Sequence, residues 1–265
     1  MISMRPETND VFIHQCVMVG NEYELPERFS PAGAVLDIGA HIGCFSLLAA
    51  QRGCRNLLAF EPDLQNHALA ARNLQAWITY GAIRLTRAAV WRSDSNDDRL
   101  VHQGYPFDGR WENTGGVVVR VDPGSAEALP KIGLDEILLD ATHGGAGRVS
   151  LIKIDCEGSE WPILLTSRRL DLVDEIRGEF HERGTDWSEE ASFEIGGRRV
   201  FTADLLVSHL SDQGFEVTLR RNAECRGLGL FFAHRKCFPR DAEFTKRLRA
   251  GISDAGLSRF YPGPG

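Results

Sequence analysis

Asp37 and Glu61 stand at or beside the ends of short apolar runs, and Asp155, Glu157, Glu160, Glu179 and His181 gather after two later ones. Carboxylates accept hydrogen bonds from hydroxyls and hold ammonium groups, and such charge-assisted bonds contribute about 1.5–3 kcal/mol each. A histidine, with an unperturbed pKa near neutrality, moves protons. Ligands of open parallel sheets bind beyond the carboxyl ends of the strands, so acids and an imidazole at strand ends read as a site. His181 is the leading candidate for a general base, a role worth roughly 10²–10⁴-fold. Glu179, two residues back on the same strand face, would orient it or bind an acceptor, and Asp155 completes the candidate catalytic set.

The glycines restrict what the ligand is. Residues 34–38 form a short apolar run interrupted by Asp37, suited to a strand buried on both faces. Gly39 and Gly43 follow, and residues 44–51 read as a helix closed by Gly53. Strand, glycine turn and helix together offer backbone N–H groups and a helix N-terminus to a ligand. The spacing is not G-x-G-x-x-G, and Asp37 precedes the glycines, which points away from a pyrophosphate and towards a ligand with an amino acid end. Asp37 would meet its α-ammonium, because a buried charge needs a partner. Glu61, at the end of the second strand, would accept both hydroxyls of a ribose. His41 reads as a cofactor contact first and a second candidate base. Adenine would lie after the third strand, near Ala88, Ala89, Val90 and Trp91. Asp37, Gly39, Gly43 and Glu61 together fit S-adenosylmethionine.

The run from Lys153 to Glu160 supplies the other end of the site. Ile152 and Ile154 would point to one strand face and Lys153 to the other, Asp155 would end the strand, and Gly158 would permit a close turn. Glu157 and Glu160 stand at i, i+3 spacing. They would hold an ammonium, favour a sulfonium or orient an acceptor, or else cap a helix N-terminus. Methyl transfer is an in-line displacement at carbon, so alignment of the partners supplies much of the catalysis.

The elements that must position these residues are read from the same chain. Residues 11–19 alternate imperfectly and predict a strand over the sheet edge or the ligand. Strands are expected at 56–60, 83–90, 150–154 and 173–181, with helices from an N-cap at Asp63 to residue 76 and over 159–167. Pro162 fits only the first turn of the latter. Thr202 caps a helix to residue 213, and residues 215–220 and 229–234 make a closing pair. Strand and helix alternation of this kind predicts a parallel sheet with helices on both faces. One domain is expected over 1–265, with a covering segment at 1–30, an insertion over the active site at 92–149 and a tail at 239–265. Within the insertion, residues 117–121 are strand-like and residues 142–147 are expected to be flexible. Tyr105, Phe107, Trp111 and Trp187 would wall an acceptor pocket.

Composition removes several function classes. A net charge of −7 and a pI near 5.6 argue against a nucleic-acid partner. No run reaches the ~18 apolar residues of a membrane span. The start lacks a basic-then-apolar leader, so a cytoplasmic, reduced setting is expected. The cysteines show no C-x-x-C, and Cys44, Cys54 and Cys156 read as small buried thiols. Asp97-Asp98 reads as solvated, and no octahedral ligand spacing is visible, so no metal is expected.

Val35-Leu36-Asp37-Ile38-Gly39-Ala40-His41-Ile42-Gly43 resembles the first motif of class I methyltransferases, in particular the FkbM-type family, with His41 where that family usually has asparagine. Phe60-Glu61-Pro62 is similar to its second motif. Ile152-Lys153-Ile154-Asp155-Cys156-Glu157-Gly158-Ser159-Glu160 resembles its hallmark run over its full length. Asn113-Thr114-Gly115-Gly116 and Glu179-Phe180-His181 are similar to weaker family features. The resemblance extends over about residues 21–235. It implies a Rossmann-like α/β fold with a seven-stranded, mostly parallel sheet whose last strand is antiparallel. It also implies S-adenosylmethionine as donor, S-adenosylhomocysteine as product, and transfer usually to oxygen. The expected reaction is methylation of a hydroxyl on a small molecule, a sugar or a natural-product scaffold. N-methylation of an amine or amide is the alternative. A nicotinamide-dependent oxidoreductase is disfavoured by the missing G-x-G-x-x-G, and a non-enzymatic nucleotide-binding module by the gathered acids and histidine.

Overall fold

The computed structural model describes residues 2–30, 33–103 and 112–236. At its centre lie two parallel strands, β1 (Ala34–Ile38) and β8 (Val149–Ile154), with Asp37 beside Lys153 in the register. Successive residues leave a strand on opposite faces. Val35 and Leu151 therefore enter one apolar cluster, while Leu36, Ile38, Ile152 and Ile154 enter another. Helices α2 (Cys44–Gln51) and α3 (Leu64–Thr79) cover the first face through Phe45, Leu48 and Leu74. Helices α4 (Leu134–Ala141), α5 (Glu160–Thr166) and α6 (Ala203–Asp212) cover the second through Leu138, Ile163 and Leu206.

Beyond the central pair run β2 (Leu57–Phe60) and β3 (Ile83–Thr86) on one side. On the other lie β9 (Glu175–His181), β11 (Leu228–Arg235) and β10 (Phe215–Arg221). The seven-stranded order is β10-β11-β9-β8-β1-β2-β3, and β11, the last strand among the described residues, is antiparallel to both neighbours. This is the Rossmann-like sheet expected from the sequence. Local capping matches as well. Asp63 accepts the N–H groups of Gln65 and Asn66, Thr202 accepts that of Leu205, and Pro162 sits in the first turn of α5. No helix among the described residues is long and apolar enough to cross a membrane.

Two expectations are corrected. Residues 11–19 are not a strand: α1 (Asp10–His14) runs into a π-helical turn, Gln15–Val19. Its inward residues Phe12, Ile13, Cys16 and Val17 face one cavity at helical spacing, while Val11 and Val19 are exposed, so the apparent alternation is one face of a helix. The third strand also stops early. After Thr86 the chain leaves the sheet, and β4 (Ala89–Trp91) pairs with β7 (Lys131–Gly133) in a separate two-stranded ribbon. Within the segment expected as an insertion, α4 packs on the main sheet and β7 pairs with β4 beside it. β5 (Leu100–Gln103) and β6 (Val118–Val121) pair with each other in a further two-stranded sheet. Residues 142–147 form a hydrogen-bonded turn around buried Thr142, which bonds Gly145 and Gly147. Tyr105, Phe107, Trp111 and the tail at 239–265 lie outside the described residues.

Candidate active site

The sheet order reverses its direction of growth between β1 and β8, and their carboxyl ends open a crevice there. Gly39 occupies the mouth with φ +78°, and a Cβ on it would lie 1.9 Å from the Asp155 carbonyl oxygen. Only glycine fits. Gly43, at φ +89°, is the N-cap of α2. The turn is tied to the neighbouring strand ends, because Gly39 and Ala40 both donate their N–H to the Phe60 carbonyl at 3.0 Å.

Beneath the turn lies a buried ionic core. Register brings the Lys153 ammonium 3.4 Å from Asp37, whose other oxygen accepts the Ser46 hydroxyl at 2.6 Å. Burial pushes the Asp37 carboxyl up, against the pull of Lys153 and Ser46. Burial also works against the Lys153 charge, but Asp37 and Asp155 outweigh it and hold the ammonium above its ordinary pKa. The positive partner of Asp37 thus comes from the chain itself. Lys153 also bonds the Gly39 carbonyl at 2.5 Å and lies over the Tyr23 ring, whose hydroxyl donates to Asp155 at 2.8 Å.

Glu61, the residue after β2, is almost wholly buried. Its two oxygens accept the backbone N–H groups of His41, at 2.7 Å, and Asp63, at 2.9 Å. Burial pushes its carboxyl up to about 7, with those two N–H groups pulling the other way. His41 adopts φ +50°, a left-handed conformation that asparagine and histidine tolerate better than most residues. This accounts physically for a histidine where the resembling family usually has asparagine. Its ring contacts Thr114 at 3.0 Å and lies 3.5 Å from Asp10, which also pairs with Arg5. Burial drives the His41 pKa down to about 4, so this ring is neutral near pH 7. Asn66 joins the same network, accepting from Arg5 and donating to the Thr114 carbonyl. The N-terminal segment and the 112–116 loop are thereby latched beside the turn.

At the opposite end of the crevice, His181 leaves β9 among three carboxylates. Its Nδ1 is 2.9 Å from Glu160, and its Nε2 is 3.2 Å from Glu157 and 3.6 Å from Glu179. Burial opposes the imidazolium, but Glu157 and Glu160 outweigh it and raise the pKa well above 6.5. This differs from the near-neutral base expected from the sequence, since the carboxylates favour the protonated ring. Burial, with Asp155 adding to it, pushes the Glu179 carboxyl well above the usual carboxylate range. Glu157 holds φ +55°, a second left-handed non-glycine residue at the site. One ligand atom each from Asp155, Glu157 and His181 can lie within 4.8 Å of one another, which the sequence does not reveal because His181 arrives from the adjacent strand.

Both ends open into one cavity of about 540 Å³. Gly39, His41, Glu61 and Pro62 line it near the turn, and Asp155, Glu157, Glu179 and His181 line it at the far end. Asp37 and Glu160 lie behind this lining as fully buried supports, and Gly43 caps α2 behind it. Ala89 and Val90 are not brought to the cavity, because the departure of β4 buries them in the core. Trp187 is at the rim, with its indole N–H on Glu182. Glu22, Tyr23 and Asn66 are lining residues that sequence reasoning did not single out; Asn66, within the capped first turn after Glu61, carried the clearest signal. Burial and the nearby Asp155 charge push Glu22 up to about 8.

A seven-stranded sheet of this order, with a glycine turn and acids at its carboxyl edge, defines a Rossmann-like methyltransferase. A family model described as the methyltransferase FkbM domain matches residues 37–217, and the chain belongs to that family, whose methyl donor is S-adenosylmethionine. The AMB antimetabolite synthetase AmbE of Pseudomonas aeruginosa is 29% identical over 250 residues, a match covering 82% of this chain and 11% of that protein. This chain therefore spans about a tenth of that relative's length. Among solved structures, the precorrin-6y C5,15-methyltransferase of Geobacter metallireducens is 12% identical with a TM-score of 0.44, covering 89% of this chain and 94% of its own. An O-methyltransferase family protein of Burkholderia thailandensis is 12% identical with a TM-score of 0.44, covering 86% and 57%.

Proposed function

We propose that this protein methylates a hydroxyl of a small molecule, a sugar or a natural-product scaffold, using S-adenosylmethionine. The observation that carries the reading is that the glycine turn with Glu61 and the acid–imidazole cluster around His181 open into a single cavity. The residues present fit the donor. The backbone at Gly39 admits no Cβ, and the buried Glu61 carboxylate, bonded by two N–H groups, keeps acceptor capacity for ribose hydroxyls. Gly39, His41, Glu61 and Pro62 would hold the nucleoside and amino acid parts, and Asp155, with Glu157, would favour the positive end. When bound, S-adenosylmethionine supplies an electrophilic methyl group on a sulfonium and leaves as neutral S-adenosylhomocysteine.

The chain's own residues align the acceptor and take its proton. Glu179 is the proton acceptor in this reading: it faces the cavity beside His181, and burial raises its proton affinity towards that of an effective base. His181 orients Glu157 and Glu179. The walls contributed by α1 and the 113–117 loop shape the acceptor's place. The N-methylation reading is favoured by one observation: Glu22, Asp155, Glu157 and Glu179 form an acidic wall suited to an ammonium.

Calorimetry with S-adenosylhomocysteine and with NAD tests the donor; binding of the first alone is expected, and the reverse overturns the reading. Incubation with S-adenosylmethionine and a panel of polyhydroxylated and amino-bearing small molecules tests the acceptor. NMR mapping of the new methyl to oxygen supports hydroxyl transfer, and mapping to nitrogen replaces it with the second reading.

A further inference from the structure

The far end of the cavity has more ligating atoms than one proton acceptor needs. Nδ1 of His181 faces the wholly buried Glu160 carboxylate at 2.9 Å, and a carboxylate only accepts, so Nδ1 carries a proton. Nε2 faces the carboxylates of Glu157 and Glu179, 3.2 and 3.6 Å away. These atoms are held together by a positive charge between them, which a proton on Nε2 or a metal ion can supply. Asp155 stands alongside, oriented by the Tyr23 hydroxyl at 2.8 Å.

We propose that Asp155, Glu157 and His181 Nε2 form a binding site for a hard divalent cation, Mg²⁺ or Mn²⁺, at the acceptor end of the cavity. Adjacent ligands of an octahedral cation with bonds near 2.1 Å are about 3 Å apart and opposite ones about 4.2 Å. One ligand atom from each of the three residues lies within 4.8 Å of the others, and Nε2 is 3.2 Å from Glu157, so small side-chain adjustments bring them to that spacing. Oxygen-rich ligation with one imidazole suits these metals better than a thiolate-preferring ion. Glu160 completes the arrangement from behind: metal-bound histidines donate their other ring N–H to a carboxylate, which fixes the tautomer and aims the ring. Three protein ligands leave positions open towards the cavity. Two neighbouring oxygens of an acceptor would occupy them, and coordination would lower the pKa of the bound hydroxyl beside Glu179. The inference rests on the methyl-transfer reading for its purpose, but not for its detection.

Mn²⁺ binding, followed by electron paramagnetic resonance on the full chain, tests the site without any turnover. About one Mn²⁺ per chain is expected, displaced by Mg²⁺. Glu157→Gln and His181→Gln should each weaken it about tenfold or more, while Asp97→Asn, in a surface turn, should not. S-adenosylhomocysteine affinity, measured in parallel, reports separately on the donor site. If one variant fails to fold by circular dichroism, the other carries the test. No Mn²⁺ uptake at millimolar metal, or uptake that both folded variants retain, overturns the cation site. Mn²⁺ uptake without S-adenosylhomocysteine binding leaves the cation site standing and overturns the methyl-transfer reading instead.

Discussion

Oε2 of Glu61 accepts the backbone N–H of His41 at 2.7 Å, so the end of β2 and the glycine turn after β1 behave as one piece. A ribose held by Glu61 would therefore sit in fixed relation to the turn. Glu61→Ala should weaken S-adenosylhomocysteine binding about tenfold or more, through loss of charge-assisted bonds and of the turn's brace. A calorimetric dissociation constant equal to that of the wild type would remove Glu61 from the ribose site.

The same carboxyl makes stability depend on pH. Its folded pKa, about 7, lies above the ordinary 4.5. Between those values the native state retains a proton that the unfolded chain has released. The group's contribution is thus full below about 4.5 and is lost as pH rises through about 7. In thermal melts of the cofactor-free protein between about pH 5 and 8, Glu61→Gln should remove a component that falls with rising pH, which His41, lowered to about 4, opposes below about 6.5. Glu22, raised to about 8, acts in the same direction and remains in the variant. Identical slopes for wild type and variant would refute the assignment.

Lys153 and Asp37 form a buried pair at 3.4 Å, with side-chain exposures of 5% and 0%. Removing one partner strands a charge in the core, which costs about 3–5 kcal/mol. Lys153→Met should lower unfolding stability in urea by that amount. The double variant Lys153→Met/Asp37→Asn should recover part of the loss. A double variant less stable than the sum of the singles would show that the pair is not the coupling unit.

His41 has φ +50°. His41→Asn should keep the turn and stay within about 1 kcal/mol of wild type, whereas β-branched His41→Val should lose about 1–3 kcal/mol from backbone strain. Chemical denaturation of the two variants decides this; equal losses would place the cost in the ring's contacts with Thr114 rather than in the backbone.

Glu160 touches His181 but does not line the cavity, which makes it a positioning residue. Glu160→Gln should lower kcat by roughly 10²-fold, the scale of a misplaced reacting group, with S-adenosylhomocysteine affinity unchanged. A fall in affinity with kcat intact would reassign Glu160 to donor binding.

Much of the sheet was legible because the information is local. The apolar runs of β1, β2, β8 and β9, the Asp63 and Thr202 caps and the closing β10–β11 pair each announce themselves within a few residues. The α1 segment was misread because so short a helix with one covered face mimics an imperfect alternation. The early end of β3 was not legible, since Ala89 to Trp91 are as apolar as strand residues and their partner, β7, lies some forty residues on. The site divides in the same way. Gly39, Glu61 and Asp155 could be placed at strand ends from pattern alone. The surroundings of His181 could not, because Glu157 and Glu160 belong to the loop and helix after β8, whereas His181 ends β9.

The sequence by itself located the seven strands of the main sheet, the glycine turn and the chemical types at the carboxyl edge. Backbone geometry and burial act over short stretches, so residue pattern suffices for these. Only the tertiary structure decided that Asp37 is paired with Lys153, that His181 is surrounded by three carboxylates, and that Ala89 and Val90 are packed in the core rather than along the cavity. Those outcomes depend on register between strands far apart in the chain and on the few ångströms over which charges act, and neither is written in local sequence.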